Sequence, residues 1–358
     1  MMVYRLFPGQ TLAGLCEELR IENPEYLLDF HNRHCPAAER SEGNLIGGTR
    51  FFIPTAEEVA EINRNIRENN ESFYDFPADG RFPWNYPGWE GMYHISRTCY
   101  FNDDIAGTYE QDIRLDFEGV RHGLYHYLLT ASDFRKNGDL SDSKISTLAG
   151  MCMENLYPVR MMVTPQGKIH KAALTGSPEL LVSGWEAIEQ HFEDHYALNY
   201  IGTLKKMAED PDVISGRFSC TLLSSLLFGP FYEMKLEDWT GSPAYRAFYP
   251  WIAEAQPVCF ELRNTLLPKE HPGDGFIRIR QAGISCDPRS LEDLFIMDPD
   301  YSPTVAPDEH SIDCEHYSEY TFSRKDYTLR RIEAVFKNFA NGNTGKEVFL
   351  LERAADHS

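Results

Sequence analysis

Four groups of side chains have the types that metal or acid–base chemistry uses. The densest is Asp308-Glu309-His310-Ser311-Ile312-Asp313-Cys314-Glu315-His316. Its two histidines, one cysteine and four carboxylates are all donors that zinc accepts. Structural zinc sites usually gather ligands from two separated pairs, and no second pair stands in a convincing place, so this stretch reads as a solvated acidic loop. His191 and His195 are four apart in a segment expected to be helical, which would put them on one face. The zinc-protease pattern needs Glu directly after the first His, and Phe192 occupies that position, so the pair reads as a solvated helix face. His122 and His126 share an even spacing in a segment read as a strand, with no acid in a ligand pattern beside them. His31-x-x-His34-Cys35 offers three donors and no fourth, and reads as capping and surface residues. No G-x-S-x-G, Walker-type or G-x-G-x-x-G motif occurs, and 55 acids let carboxylate pairs be picked anywhere. The sequence therefore names no catalytic residue, no metal and no cofactor.

Charge narrows the partners further. The net charge is -21, and residues 1–70, with 7 basic and 11 acidic side chains, carry only -4 of it. Such a field repels nucleic acid and anionic lipid, so neither is expected as a partner. Hydrophobic residues make up 42% and aromatics 13%, enough to fill packed cores, and 358 residues exceed the usual size of one domain. The eight cysteines are scattered without a C-x-x-C, the usage of a reducing compartment. The start MMVYRLFPGQTLAG lacks a basic segment followed by an apolar core, and no apolar run approaches the roughly 18 residues of a membrane span. A cytoplasmic protein is expected, with a non-classical export route left open.

The most patterned stretch is Tyr4 to Pro54. Tyr4 to Phe7 alternates as a strand does, and Pro8-Gly9-Gln10 breaks it. Thr11 is placed to cap a helix whose Leu12, Leu15, Cys16 and Leu19 form one apolar stripe. Asn23-Pro24 announces a second helix, with Tyr26, Leu27 and Phe30 as its buried face and Asn32 near its end. Asn44-Leu45-Ile46-Gly47-Gly48 then turns the chain into a second strand, Arg50 to Ile53, stopped by Pro54.

This order resembles the LysM module, over about the first sixth of the chain. The matching residues are Tyr4, the Pro8-Gly9-x-Thr11-Leu12 turn, Leu19, Leu27-x-x-x-x-Asn32, Asn44-Leu45-Ile46-x-Gly48 and Ile53-Pro54. Two departures stand out: Gln10 replaces the family's usual acid, and Cys35 to Gly43 is longer than the usual connection. The resemblance implies a βααβ fold and a shallow groove for N-acetylglucosamine-containing glycans such as peptidoglycan. Carried over, that groove is Gly9, Gln10, Thr11 and Leu12 facing Asn44, Leu45, Ile46 and Gly47. The same fold can instead serve as a docking module for a protein partner. LysM modules also occur in bacterial phage-tail-like contractile injection machines, a setting that would join cytoplasmic assembly to a wall-related fold.

Beyond the module, residues 56–90 read as a connecting helix from Thr55 to Asn70 and a Pro/Gly/aromatic strap. In that strap Trp84, Tyr86 and Trp89 are either packing groups or a sugar platform. Residues 91–358 read as one α+β domain. Strands are expected over 91–174, helices over 177–229 and strands again over 258–353, with a long loop from Met297 to Cys314. Short turns between neighbouring strands imply a curved antiparallel sheet packed on the central helices, a cup able to hold an apolar ligand or a partner's segment. The reading is a non-catalytic binding or assembly protein. The alternative is a cell-wall-acting enzyme with its active site in the α+β domain.

Overall fold

A computed structural model of the chain describes residues 1–74, 85–140, 143–229, 243–271, 274–296, 311–340 and 342–354. Two hydrophobic cores organise them.

The first core is built by β1 (Met2–Arg5), α1 (Leu12–Leu19), α2 (Pro24–His34), β2 (Arg50–Ile53) and α3 (Ala56–Glu68). Local signals set the helix starts. Thr11 Oγ1 accepts the Gly14 N–H at 3.1 Å, and Asn23 Oδ1 accepts the Glu25 N–H at 2.9 Å with Pro24 in the first turn. At α3, Thr55 and Glu58 form a reciprocal capping box. β1 and β2 pair antiparallel, with Val3 opposite Phe52. The first strand starts and ends earlier than the alternation of Tyr4 to Phe7 indicates, because Pro8 breaks the ladder. Leu6 still exchanges hydrogen bonds with the second arm, through Thr49 and Gly48. Leu6, Leu15, Leu27, Phe51 and Ile53 are buried together, and Ile66 of α3 joins them, so the helix expected as a connector closes this small core.

The larger core belongs to a 12-stranded antiparallel sheet. One half contains β3 (Gly91–Phe101), β4 (Asp104–Arg121), β5 (Leu124–Lys136), the short β6 (Asp139–Leu140), β7 (Val159–Val163) and β8 (Ile169–Leu174). The other contains β9 (Tyr245–Tyr249), β10 (Val258–Leu266), β11 (Phe276–Ser285), β12 (Asp313–Ser323), β13 (Leu329–Ala340) and β14 (Asn343–Arg353). The strand order β8-β7-β5-β4-β3-β14-β13-β12-β11-β10-β9 makes each half a meander, joined where β14 pairs with β3, Val348 opposite Thr98. β8 and β9 are thus the two far edges. The chain between them must cross the whole sheet, and it does so through α5 (Pro178–His191), α6 (His195–Glu209), α7 (Pro211–Ser219) and α8 (Leu222–Leu227). Their apolar stripes, with Trp185, Ile201 and Leu226 fully or almost fully buried, cover the face on which Tyr93, Tyr127 and Phe260 converge. Register shifts in β4 at Glu110/Asp112 and Phe117/Gly119 add the bend and twist that such wrapping needs.

Three elements have no counterpart in the sequence expectations: the two-residue β6, α4 (Lys144–Leu156) and β9. Helix α4 follows β5 and β6 and buries Leu148, Cys152 and Leu156, a stripe of one residue per turn capped by Ser143. The packing role of the aromatic strap is also visible. Tyr86 and Trp89 are buried in the large core, the Tyr86 ring tilted against Tyr125 at 4.4 Å and the Trp89 ring against Phe228 at 5.7 Å, while Trp84 lies outside the described residues. Among the described residues no helix is long and apolar enough to cross a membrane.

Candidate functional site

The turns that carry the two quartets singled out in the first fifty residues touch where Gly47 stands against Pro8. Gly9 takes φ +82° in the turn, and the Gln10 N–H closes it onto the Phe7 carbonyl at 3.2 Å. The Gln10 side chain reinforces the same turn. Its Oε1 accepts the Phe7 N–H at 3.1 Å, and its Nε2 reaches the Tyr4 hydroxyl at 3.1 Å and Glu18 at 3.3 Å. An amide can do both because it donates and accepts, which the acid usual at this place cannot. Opposite, the Gly48 N–H donates to the Leu6 carbonyl at 2.8 Å. Gly47 comes so near Pro8 that an added Cβ would stand 2.9 Å from the Pro8 Cα, so only glycine allows this contact. Leu12 and Leu45 turn into the core, while Gly9, Thr11, Asn44 and Gly47 are exposed. Ile46 is 68% exposed and Phe7 66%, leaving two large apolar side chains in water on this corner.

A hollow on this module adjoins the Asn44 turn. It measures about 630 Å³, and Asn44, Leu45 and Ile46 line it together with residues of the inserted loop, among them Glu39 and Ser41. Gly9, Gln10, Thr11 and Leu12 do not line it. The insertion is held in place by α2. Asn32 Nδ2 donates to the Ser41 carbonyl and Oδ1 accepts the Ser41 N–H, both at 2.9 Å, and Glu39 pairs with Arg50.

His31 is the residue that sequence reasoning misplaced here. It is 1% exposed rather than a surface capping group. Its Nδ1 accepts the Phe52 N–H at 3.0 Å, so the ring proton sits on Nε2, which donates to the Glu39 carbonyl at 3.0 Å. The ring lies flat on Phe51, 4.0 Å between centroids and 6° apart. One imidazole therefore ties α2 to β2 and to the inserted loop, which leaves it unavailable to a metal. His31→Ala is expected to destabilise the module by about 2–3 kcal/mol, since it orphans a buried N–H and removes a stacked ring. A chemical-denaturation midpoint equal to wild type would contradict this.

The other donor groups do not converge. In the acidic stretch, Asp308, Glu309 and His310 lie outside the described residues. Ser311 and Ile312 lead into strand β12, which takes the rest from Asp313: Cys314 and His316 point into the core while Asp313 and Glu315 face water. Alternation across a strand thus sends potential ligands to opposite faces. His191 ends α5 and His195 begins α6, so the two do not share a helix face, although both are exposed. His122 sits in the β4–β5 turn at φ +53°, whereas His126 is on β5 and buried. Among the described residues no group of three or more His, Cys, Asp or Glu side chains could hold a metal ion.

What sequence reasoning missed in the large domain is a buried polar network. Gln281 on β11 is 0% exposed, and its Oε1 accepts from the Tyr249 hydroxyl at 2.7 Å and from Ser318 at 3.3 Å, with His316 Nε2 at 3.0 Å. Its Nε2 donates to Tyr245 at 2.6 Å. Burial drives the His316 pKa down to about 3, so the ring is neutral near pH 7 and cannot supply a proton there. Burial likewise pushes the thiols of Cys16, Cys259 and Cys314 up to about 12, which makes them small core hydrophobes rather than nucleophiles. The only sequence signal for this network is polar residues at inward positions of alternating strands.

No family model and no curated protein matches the chain. Among solved structures it is similar to one described as "Lipid-protein interactions in lipovitellin", with 8% identity over 75% of this chain, 25% of that chain and a TM-score of 0.37. The chain thus spans about a quarter of that protein's length, and likeness at this level carries no argument about fold or ligand. The architecture itself is α+β, a large antiparallel sheet with helices on one face and a small βααβ unit before it.

Proposed function

We propose that this chain is a non-catalytic binding or assembly protein whose N-terminal unit is a LysM-like module docking on a glycan of the peptidoglycan type. The observation that carries the reading is the βααβ unit, in which the Pro8–Leu12 turn and the Asn44–Gly48 turn meet with Phe7 and Ile46 exposed beside them. The faces of a pyranose ring are lined by C–H groups and pack on such apolar side chains, while polar edges of the turns meet hydroxyl and acetamido groups. A role in a phage-tail-like contractile machine rests on the LysM resemblance alone.

The test is sedimentation of the full chain with purified peptidoglycan, alongside an assay for released muropeptides. Wild type is expected to co-sediment without releasing fragments. A Phe7→Ala, Ile46→Lys double variant is expected to bind about tenfold more weakly with unchanged melting, because both side chains are exposed and outside the core. No retention of wild type would remove the glycan in favour of a protein partner. Release of muropeptides would replace docking by catalysis.

A further inference from the structure

The concave side of the large sheet is not filled evenly. Between β3–β5, β14 and helices α4 and α8 lies a cleft of about 610 Å³, within the range of roughly 300–1,000 Å³ typical of small-molecule sites. Ile95 and Phe349 from the sheet, Phe134 from β5, Ala149 and Met153 from α4 and Leu223 from α8 give it apolar walls. Gly150 also lines it, and a Cβ built there meets nothing within 4 Å. Helix α4 therefore leaves space open where any other residue would occupy it. Ile145, in the first turn of α4, lines the same cleft and is 80% exposed.

The charges of this cleft oppose those of the protein. The chain carries a net charge of -21, yet three cations, Arg97, Arg135 and Lys136, line the cleft against one carboxylate, Glu110. Arg97 is paired with Glu347 at 2.6 Å and Arg135 with Asp133 at 2.9 Å. Lys136 has no ion pair among the described residues, and its ammonium stands 5.8 Å from the centre of the Tyr109 ring. Arg135 and Lys136 are exposed, whereas the apolar walls run inward beneath the helices. A largely apolar interior with a cation at its mouth that has no ion pair among the described residues is complementary to a molecule that has the reverse order.

We propose that this cleft binds a single-chain amphiphile, a hydrocarbon chain ending in an anionic group. The chain lies between α4 and the sheet, and the head group meets Lys136 beside Arg135. The site is independent of the glycan reading of the first module and concerns only the α+β domain.

The test uses the full-length protein and dansyl-undecanoic acid, followed by its emission, with the methyl ester of the same probe and phosphatidylglycerol vesicles as separate arms. The acid is expected to bind saturably and with a blue shift, and the uncharged ester about tenfold more weakly. Lys136→Glu should weaken the acid about tenfold while leaving the ester unchanged. Gly150→Leu should abolish binding of both while melting at or above the wild-type temperature, because glycine is a poor helix residue and the added Cβ points into the open cleft with nothing within 4 Å. The proposal is overturned if acid and ester bind alike and Lys136→Glu changes neither. It is equally overturned if a folded Gly150→Leu binds as wild type does, or if only the vesicles bind.

Discussion

Asp287→Ala is expected to cost about 3–5 kcal/mol of stability, the range for removing one partner of a buried ion pair. Asp287 is 4% exposed and every lone-pair direction of its carboxylate is occupied. Oδ2 accepts the Cys259 N–H at 2.9 Å and an Arg289 NH2 at 2.7 Å, and Oδ1 accepts Arg289 Nε at 2.8 Å and the Arg289 N–H at 3.1 Å. Arg289 passes the connection on to Gln256 at 2.5 Å and to the Pro257 carbonyl at 2.7 Å, so this pair clamps the ends of β10 and β11 together. Alanine would leave the guanidinium without its counter-ion, and Arg289 Nε and the Cys259 and Arg289 N–H groups without this acceptor. Urea titration followed by tryptophan emission measures the loss.

Its pH dependence has a definite sign. Burial alone raises the Asp287 pKa, but Arg289 and two backbone N–H donors outweigh it and hold the carboxyl below the usual aspartate range. Asp274, buried and bound by Arg278 at 2.7 Å, is depressed in the same way. A depressed native pKa stabilises the fold above the unfolded value of about 3.9, and that contribution disappears as pH falls through the native value. Wild type should therefore lose stability below about pH 4, and Asp287→Ala should lose less over the same interval. Parallel curves for the two proteins would refute this assignment.

The second large effect is expected from Leu27→Ala, at about 2–5 kcal/mol. Leu27 is 0% exposed among only eight buried apolar residues in the first core, so a single truncation removes a large part of what holds that module. Residues 72 and 73 contact both units: the Phe73 N–H donates to the Glu22 carbonyl at 2.9 Å, and Lys269 Nζ to the Ser72 carbonyl at 3.0 Å. Trp89, Trp185 and Trp251 all belong to the larger core. Amide exchange across residues 1–66 should accelerate in Leu27→Ala while the near-ultraviolet signal of those tryptophans persists. Loss of both together would mean that the two cores melt as one.

Much of the fold was legible where its cause is local. Thr11, Asn23-Pro24 and Thr55 mark helix starts because a side-chain oxygen must satisfy N–H groups within three residues, and that requirement is written in adjacent positions. The boundaries of β10 were legible for a similar reason, since its inward and outward residues alternate almost without exception. Helix α4 left a weaker trace, an apolar residue each turn around Gly150, and β9 is five residues long. Of the expected groove, the sequence indicated both turns, but not that Gly47 would rest against Pro8 or that the inserted loop would line a hollow beside the second turn.

What the amino-acid order determined by itself is therefore the inventory: caps, alternating strands, an acidic surface and a βααβ pattern at the front. The tertiary structure decided which of those pieces meet. It joined β3 to β14 across some 250 residues, drew α5–α8 over the sheet because its two far edges had to be connected, and buried His31, His316 and Gln281 in hydrogen-bond networks. Such outcomes depend on partners distant in sequence, and a residue's type says what bonds it can make, not which neighbour will be there to make them.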